Sequence, residues 1–452
     1  MEIKERIEQL TEDMIQDLGD LVKHPSKRGD ALPDKPFGEG PAAALAEALR
    51  IAEEMGFKTK NLDNYCGYAE IGEGKDIIGL VAHLDVVPEG DGWDTDPYTV
   101  TRKGDVLYGR GVSDDKGGAI ASLYTLKLIQ ELNIPLNKRI RVLLGCNEET
   151  GSQCMAHYNE VEEPITIGFT PDGSFPGIYG EKGMLNMSAF SKNTKILSME
   201  GGFVSNAVCH HCVTKVPADA VDEAKLKEAL AKTPLAGFTL SKEDDALVID
   251  AQGVSAHAST PLLGVNAASF TMQALAEAGM EDDFVDYYNS HIGTTCDGAG
   301  YNLKLQDDYG ELTLNNGIVR MTDGAIECTI DIRVPVTYNE EQLRALLADR
   351  LEDEKGKTVI NAIGKPLFFP KDSPMVKALQ DAYVKVTGDT ESPLLVIGGG
   401  TYAKSIPGII AFGCEFPGVD NHIHDANERL EIRELKLQVE IYTEAVKNLL
   451  AL

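Results

Sequence analysis

Asp76 to Val87 read DIIGLVAHLDVV, and this stretch decides the fold. It is apolar at odd and even positions alike, so both faces of the strand it predicts need cover, as in a sheet flanked by helices on each side. It ends in His83-Leu84-Asp85. In open α/β sheets, ligands bind beyond the C-terminal ends of the strands. Residues i and i+2 of a strand point to one side, so Asp85 can reach the imidazole of His83 and hold its second ring N–H.

Outward from this strand, Arg139 to Cys146 (RIRVLLGC) and Ile165 to Phe169 (ITIGF) read as two more buried strands. Ile3 to Val22, Gly40 to Met55 and Lys116 to Leu132 carry helical spacing of apolar residues. The charged start, Met1-Glu2-Ile3-Lys4-Glu5-Arg6, reads as helix. Strands alternating with helices predict an α/β fold: a central mixed sheet with parallel pairs and helices on both faces. Near Glu181-Lys182-Gly183 the pattern changes to short strands, Ala246 to Ala251, Glu311 to Leu314 and Ala325 to Val334. Two helices interrupt them, Asp222 to Ala231 and Asn266 to Ala278. After Pro370-Lys371-Asp372-Ser373-Pro374 the α/β character returns, with a helix over Met375 to Val386, strands over Leu394 to Ile397 and Gly408 to Cys414, and a closing helix from Glu431. We read 1–180 and 371–452 as one body and 181–370 as an inserted α+β domain.

The chain has 452 residues and a formal net charge of −30, which argues against a nucleic-acid partner, whose phosphates need Lys and Arg. No run approaches the roughly 18 apolar residues of a membrane span. The charged start lacks the apolar core of a signal peptide, so a cytoplasmic location is expected. The eight cysteines are then expected as thiols. Cys209-His210-His211-Cys212 crowds four soft ligands together. Four adjacent side chains close a tetrahedron poorly, and the segment reads as strand, which argues against a structural zinc there.

The chemistry-bearing residues follow the strands. Glu148-Glu149 come just after Cys146 and Asp172 just after Phe169. Asp114-Asp115-Lys116-Gly117 opens a helix, and His424-Asp425-Ala426-Asn427-Glu428 precedes the last one. Singly these are ambiguous: an Asp before a helix is most often a cap, and paired Glu are usually a solvated face. Together they place acids and imidazoles where burial without a cation would be costly.

Four blocks carry a resemblance: GLVAHLDVVP (Gly79 to Pro88), LYGRGVSDDKGG (Leu107 to Gly118), NEETG (Asn147 to Gly151) and HDANE (His424 to Glu428). They resemble, in order and across nearly the whole chain, the signature blocks of the dinuclear zinc metallopeptidase family. That family includes aminoacylases, glutamate carboxypeptidases, desuccinylases and carnosinase-like dipeptidases. The resemblance implies that His83 and Asp172 bind one metal, Glu149 and His424 the other, and that Asp114 bridges them with a cis Asp114–Asp115 peptide. It implies Glu148 as general base and Asp85 as the residue orienting His83. Two zinc ions bring four positive charges against three from Asp114, Glu149 and Asp172, so one further anion such as hydroxide closes the balance. Manganese or cobalt suit the same ligands.

GVSAHASTP (Gly253 to Pro261) looks like the family's lid motif, which gives His257 the oxyanion. Arg333, in DIRVP, and Gly399 and Gly400, in GGGTYA, look like elements that bind a substrate carboxylate. Asn206 is a further substrate contact in this reading. Asp rather than Glu at position 172, the long insert and the GGGTYA run resemble the bacterial PepV-type Xaa-His dipeptidases. The resemblance therefore implies a monomer that cleaves unblocked dipeptides, including Xaa-His types. The alternative within the family is an amidohydrolase of N-acyl amino acids, such as a desuccinylase or deacetylase. A Ser or Cys nucleophile is disfavoured: no Gly-x-Ser-x-Gly elbow occurs, and Cys146 lies in an apolar strand.

Overall fold

The computed structural model describes residues 3–452. Met1 and Glu2 of the charged start lie outside the described residues, and Ile3–Val22 is helix. The chain divides into two compact units. One comprises residues 1–180, 368–395 and 400–452, the other 181–367 and 396–399. The sequence does not separate the short return over 396–399 from the closing segment, because Leu394 to Ile397 reads as one strand with no break before Val396, and the turn signal of Gly398–Gly400 comes only after it.

The first unit is built on a mixed sheet. Its strands run in the order Lys58–Leu62, Cys66–Ile71, Arg139–Gly145, Ile77–His83, Ile167–Thr170, Ile409–Ala411. The last four are parallel to one another, the first two add antiparallel at one edge, and beyond Ile409–Ala411 the sheet continues with Ile178 antiparallel to Ala411. Ile77–His83 is buried at every position, as its unbroken apolar run requires. The helix Lys116–Glu131 packs against this strand, and against Ile3–Val22 and Ile432–Leu450. Glu39–Glu54 covers the antiparallel edge strands. Register does the positioning. His83 stands opposite Gly145, and Leu80 opposite Phe169. Parallel strands end on one edge of the sheet, so the segments that follow His83, Gly145 and Thr170 emerge side by side.

The second unit is an antiparallel eight-stranded sheet, ordered Gly237–Glu243, Ala246–Gln252, His211–Pro217, Ser198–Gly201, Thr313–Thr322, Ala325–Val334, Gly183–Ser191, Gly356–Gly364. The helices Glu223–Lys232, Ala267–Glu277 and Asp283–His291 pack with it around a core that includes Leu226, Met272, Phe284, Tyr288 and Ile330. Asp283–His291 does not stand out in the sequence. Its start is fixed by Asp282, whose carboxylate accepts from the N–H groups of Phe284 and Val285.

No helix among the described residues is long and apolar enough to cross a membrane.

Candidate metal centre and its flanking residues

The edge of the parallel sheet carries the site. One ligand atom each from His83, Asp114 and Glu149 lie within 4.8 Å of one another, and so do atoms of His83, Glu148 and Asp172. Asp114 stands between two imidazoles. Its Oδ1 is 2.9 Å from His83 Nε2 and its Oδ2 is 2.9 Å from His424 Nε2. His424 Nε2 is also 3.3 Å from Glu149 Oε1, and His83 Nε2 is 3.9 Å from Asp172 Oδ2. The structure thus gathers His83, Asp114, Glu148, Glu149, Asp172 and His424 from five separate stretches of chain, all within the first unit. The Asp114–Asp115 peptide is cis.

Each ligand is aimed by a local cause. His83 Nδ1 donates to the main-chain carbonyl of Asp85 at 2.9 Å, which fixes the tautomer and leaves Nε2 for the cluster. The expected contact through the Asp85 carboxylate is looser, at 3.6 Å. That carboxylate is turned to the next strand end instead, where Oδ1 accepts from Glu148 N–H at 2.9 Å and Oδ2 from Glu149 N–H at 3.1 Å. Asp85 therefore orients His83 through its backbone and the Glu148–Glu149 pair through its side chain. Tyr402, of the GGGTYA run, lies edge-on to the His83 ring with centroids 6.2 Å apart. Gly145 makes room for it, since a Cβ there would lie 2.1 Å from the Tyr402 hydroxyl.

The electrostatics of the cluster fit a cation. Burial, reinforced by Asp172, pushes the Glu148 carboxyl well above its usual range. Burial raises Asp85 to about 6. Asp114 is also buried, yet its two imidazole partners hold it below the usual carboxylate range. Hydrogen bonds to Asp114 and Glu149 lift His424 to about 11. For His83 burial acts downward, and the Asp114 contact overrides it, so the ring ends well above its ordinary value. In this arrangement each imidazole Nε2 faces an Asp114 carboxylate oxygen across a single proton. Divalent ions in place of those protons would relieve the same crowding of acids. Imidazole nitrogens with carboxylate oxygens are a donor set that fits zinc.

The structure gives roles to further residues of the same motifs. Asp115 is fully buried and accepts from the His83 backbone N–H at 3.1 Å. Lys116, also fully buried, donates to the carbonyl of His24 at 2.9 Å. Glu428 ties together the loop that ends in Asp114. Their only mark in the sequence is adjacency to the ligands in the DDK and HDANE blocks.

The remaining site residues of the sequence reading lie elsewhere: Asn206, His257, Arg333 and Gly399 in the second unit, Gly400 in the first. Within the second unit the first three are linked through adjacent residues. The Ala258 N–H donates to the Asn206 carbonyl at 2.8 Å, and His257 bridges Ala207. His257 Nδ1 is 2.7 Å from Ser259 Oγ, and Ser259 packs against Gly398. Arg333 Nη1 donates to the Gly398 carbonyl at 2.7 Å. The expected fork of Arg333 differs from its role here. Its Nε and Nη2 both donate to the Asp331 carboxylate, at 2.6 and 3.0 Å. Asp331 and Arg333 are i and i+2 on one strand face, so the acid captures the fork locally.

Cys209 to Cys212 do not converge on a shared centre. Cys209 and Cys212 are buried in the second unit's core with their thiols in contact, while His211 reaches out to Asp250 at 2.9 Å and His210 lies against Phe203. All eight cysteines are free thiols.

Comparison with known proteins agrees with the geometry. The model of the family described as "Peptidase family M20/M25/M40" matches residues 79–448. The Bacillus subtilis (strain 168) protein named "Putative dipeptidase YtjP" is 35% identical over 455 residues, covering 97% of each chain. The Staphylococcus haemolyticus (strain JCSC1435) protein "Putative dipeptidase SH1171" is 31% identical, covering 99% of each. Among solved structures, human carnosine dipeptidase 1 superposes with a TM-score of 0.60 at 16% identity, covering 100% of this chain and 98% of that one. The aminoacylhistidine dipeptidase of Vibrio alginolyticus gives 0.55 at 15% identity, covering 96% of each chain. At these identities the superpositions speak for the fold. The family match spans most of the chain and includes every residue of the cluster, and with it this chain belongs to peptidase family M20/M25/M40.

Proposed function

We propose that the chain is a metal-dependent dipeptidase that hydrolyses unblocked dipeptides, Xaa-His types among them. The observation that carries this reading is the meeting of two imidazoles and three carboxylates, with a fourth carboxylate, Glu148, beside them. Relatives at 30–35% identity, aligned over nearly their full length, carry dipeptidase names, which supports the substrate class.

His83 and Asp172 would hold one ion, Glu149 and His424 the other, and Asp114 would lie between. Two divalent ions, zinc in this reading, supply Lewis-acid polarisation of the scissile carbonyl and lower the pKa of water to about 7. Glu148 does the proton work. Its burial and its acidic neighbours raise its affinity for a proton, which suits a group that takes one from the attacking water and returns it to the leaving amine. Its backbone is pinned by Asp85, so the carboxylate is held ready rather than gathered during the reaction. His257 is assigned to the developing oxyanion, and Asn206, Arg333, Gly399 and Gly400 to the substrate's polar ends. These assignments rest on the sequence resemblance. A single chain is proposed as the active species.

The test is a substrate panel with the zinc-loaded chain. β-Alanyl-His and α-dipeptides with free termini should be cleaved, and their N-acetylated or N-succinylated counterparts should not. Hydrolysis confined to N-acyl amino acids would replace this reading with an amidohydrolase.

A further inference from the structure

The carboxylate of Glu428 is the most fully engaged acid near the centre, and no step of the proposed chemistry uses it. It is 1% exposed. Its Oε2 accepts from Arg110 Nη1 at 2.8 Å and from Gly111 N–H at 2.9 Å. Its Oε1 accepts from Ser113 N–H at 2.9 Å and from Asp114 N–H at 3.0 Å. Four donors fill the acceptor sites of one carboxylate. Its own carbonyl accepts from Gly109 N–H at 3.1 Å. Every one of these donors belongs to the turn Gly109 to Asp114.

Two ligands depend on that arrangement. Asp114 is gripped at its N–H by Glu428 while its carboxylate lies between His83 Nε2 and His424 Nε2. His424 stands four residues before Glu428 in the same loop, with a left-handed backbone (φ 66°) and a side chain that is 54% exposed. Little burial therefore holds His424 in place. Asn427 ties its loop to Gly92 and Asp94 at the surface, and the buried tie to the Asp114 turn is Glu428. Arg110 secures the other side. Its Nη2 reaches the carbonyls of Pro88 and Glu89, and its guanidinium lies over the Trp93 ring at 5.2 Å.

We infer that Glu428 is a positioning residue which locks the Asp114 turn to the His424 loop and thereby sets the affinity of both metal positions at once. The inference rests on the dimetal reading above and adds to it where that affinity comes from. Partners in the shell around metal ligands commonly contribute 10–100-fold to metal affinity.

Glu428→Gln is the isosteric break. Whichever way the amide turns, its NH2 faces two donors, so two of the four bonds are lost without a change of volume. The metal-stripped variant is checked for folding by circular dichroism and then titrated with zinc against a chromogenic chelator. The expected result is affinity about 10–100-fold weaker at both positions, with turnover recovering as zinc is raised and little change in KM. Recovery by metal separates positioning from a general structural defect. Zinc affinity equal to the wild type would overturn the inference. If Glu428→Gln does not fold, Arg110→Lys carries the test. It keeps the charge but loses the fork, so a smaller weakening is expected, and unchanged affinity again overturns the inference. Failure of the dipeptidase reading would look different, as a wild-type chain that binds zinc and leaves dipeptides intact.

Discussion

Metal-ligating side chains crowd together in two regions of this chain, and the two behave in opposite ways. Cys209-His210-His211-Cys212 are neighbours in sequence, yet both thiols turn into the core and His211, which opens the strand His211–Pro217, turns out to Asp250. His83, Asp114, Glu149, Asp172 and His424 are scattered over 342 positions, counted from 83 to 424, yet their heads meet. His211 and Cys212 leave their strand on opposite faces, so adjacency in sequence does not by itself make a centre. Parallel strands end on one edge, so distant segments gather. The sheet's register, with His83 opposite Gly145, makes the centre.

Breaking the gathered cluster should have the largest effect. Asp114→Ala removes the carboxylate that both imidazoles share, and both metals and all turnover should be lost, read by metal content per chain and dipeptide hydrolysis. Glu148→Ala should keep both metals and lower kcat by about 10²–10⁴-fold. Turnover unchanged in that variant would remove Glu148 from the role of base.

A smaller effect follows from charge. In the metal-free chain His83 and His424 are both raised above the ordinary imidazole value, His424 to about 11, by their carboxylate partners. Metal binds the neutral ring, so capture at pH 7 must expel both protons. Affinity should therefore fall as pH falls, by about one logarithmic unit per pH unit at each position, since each holds one imidazole, and by about two for the pair together. Calorimetry in buffers of different ionisation enthalpy would count the protons, and zinc uptake without proton release would contradict the account.

The dispersed cluster should respond least. Cys212→Ala should leave metal content and kcat/KM unchanged and cost about 1 kcal/mol of stability, as for a modest loss of core packing. Loss of metal in that variant would mean that Cys209–Cys212 is a site after all.

How far the molecule is legible in its sequence varies with the kind of signal. The buried strand Ile77–His83 and the helix Lys116–Glu131 are plain, because a long unbroken or periodic apolar run fits little besides a covered strand or a packed helix. The cluster itself is legible as positions following strand ends, with roles supplied by the resemblance. The part played by Asp85 is only half legible. Its alternation with His83 can be read, but its capture by the Glu148 and Glu149 amides depends on register between strands. Glu428 is hidden because its partners are mostly backbone N–H groups more than 300 positions away, and backbone leaves no mark in a sequence. Arg333 shows the opposite case: Asp331 is in view two residues away, and strand alternation is enough to bring the two together.

The most direct test of the central claim is the zinc stoichiometry of the stripped and reconstituted chain, measured alongside hydrolysis of β-alanyl-His. The account predicts two ions per chain, with activity that disappears under a chelator and returns with the metal. A chain that binds no zinc, or cleaves the dipeptide equally well when stripped, would contradict it.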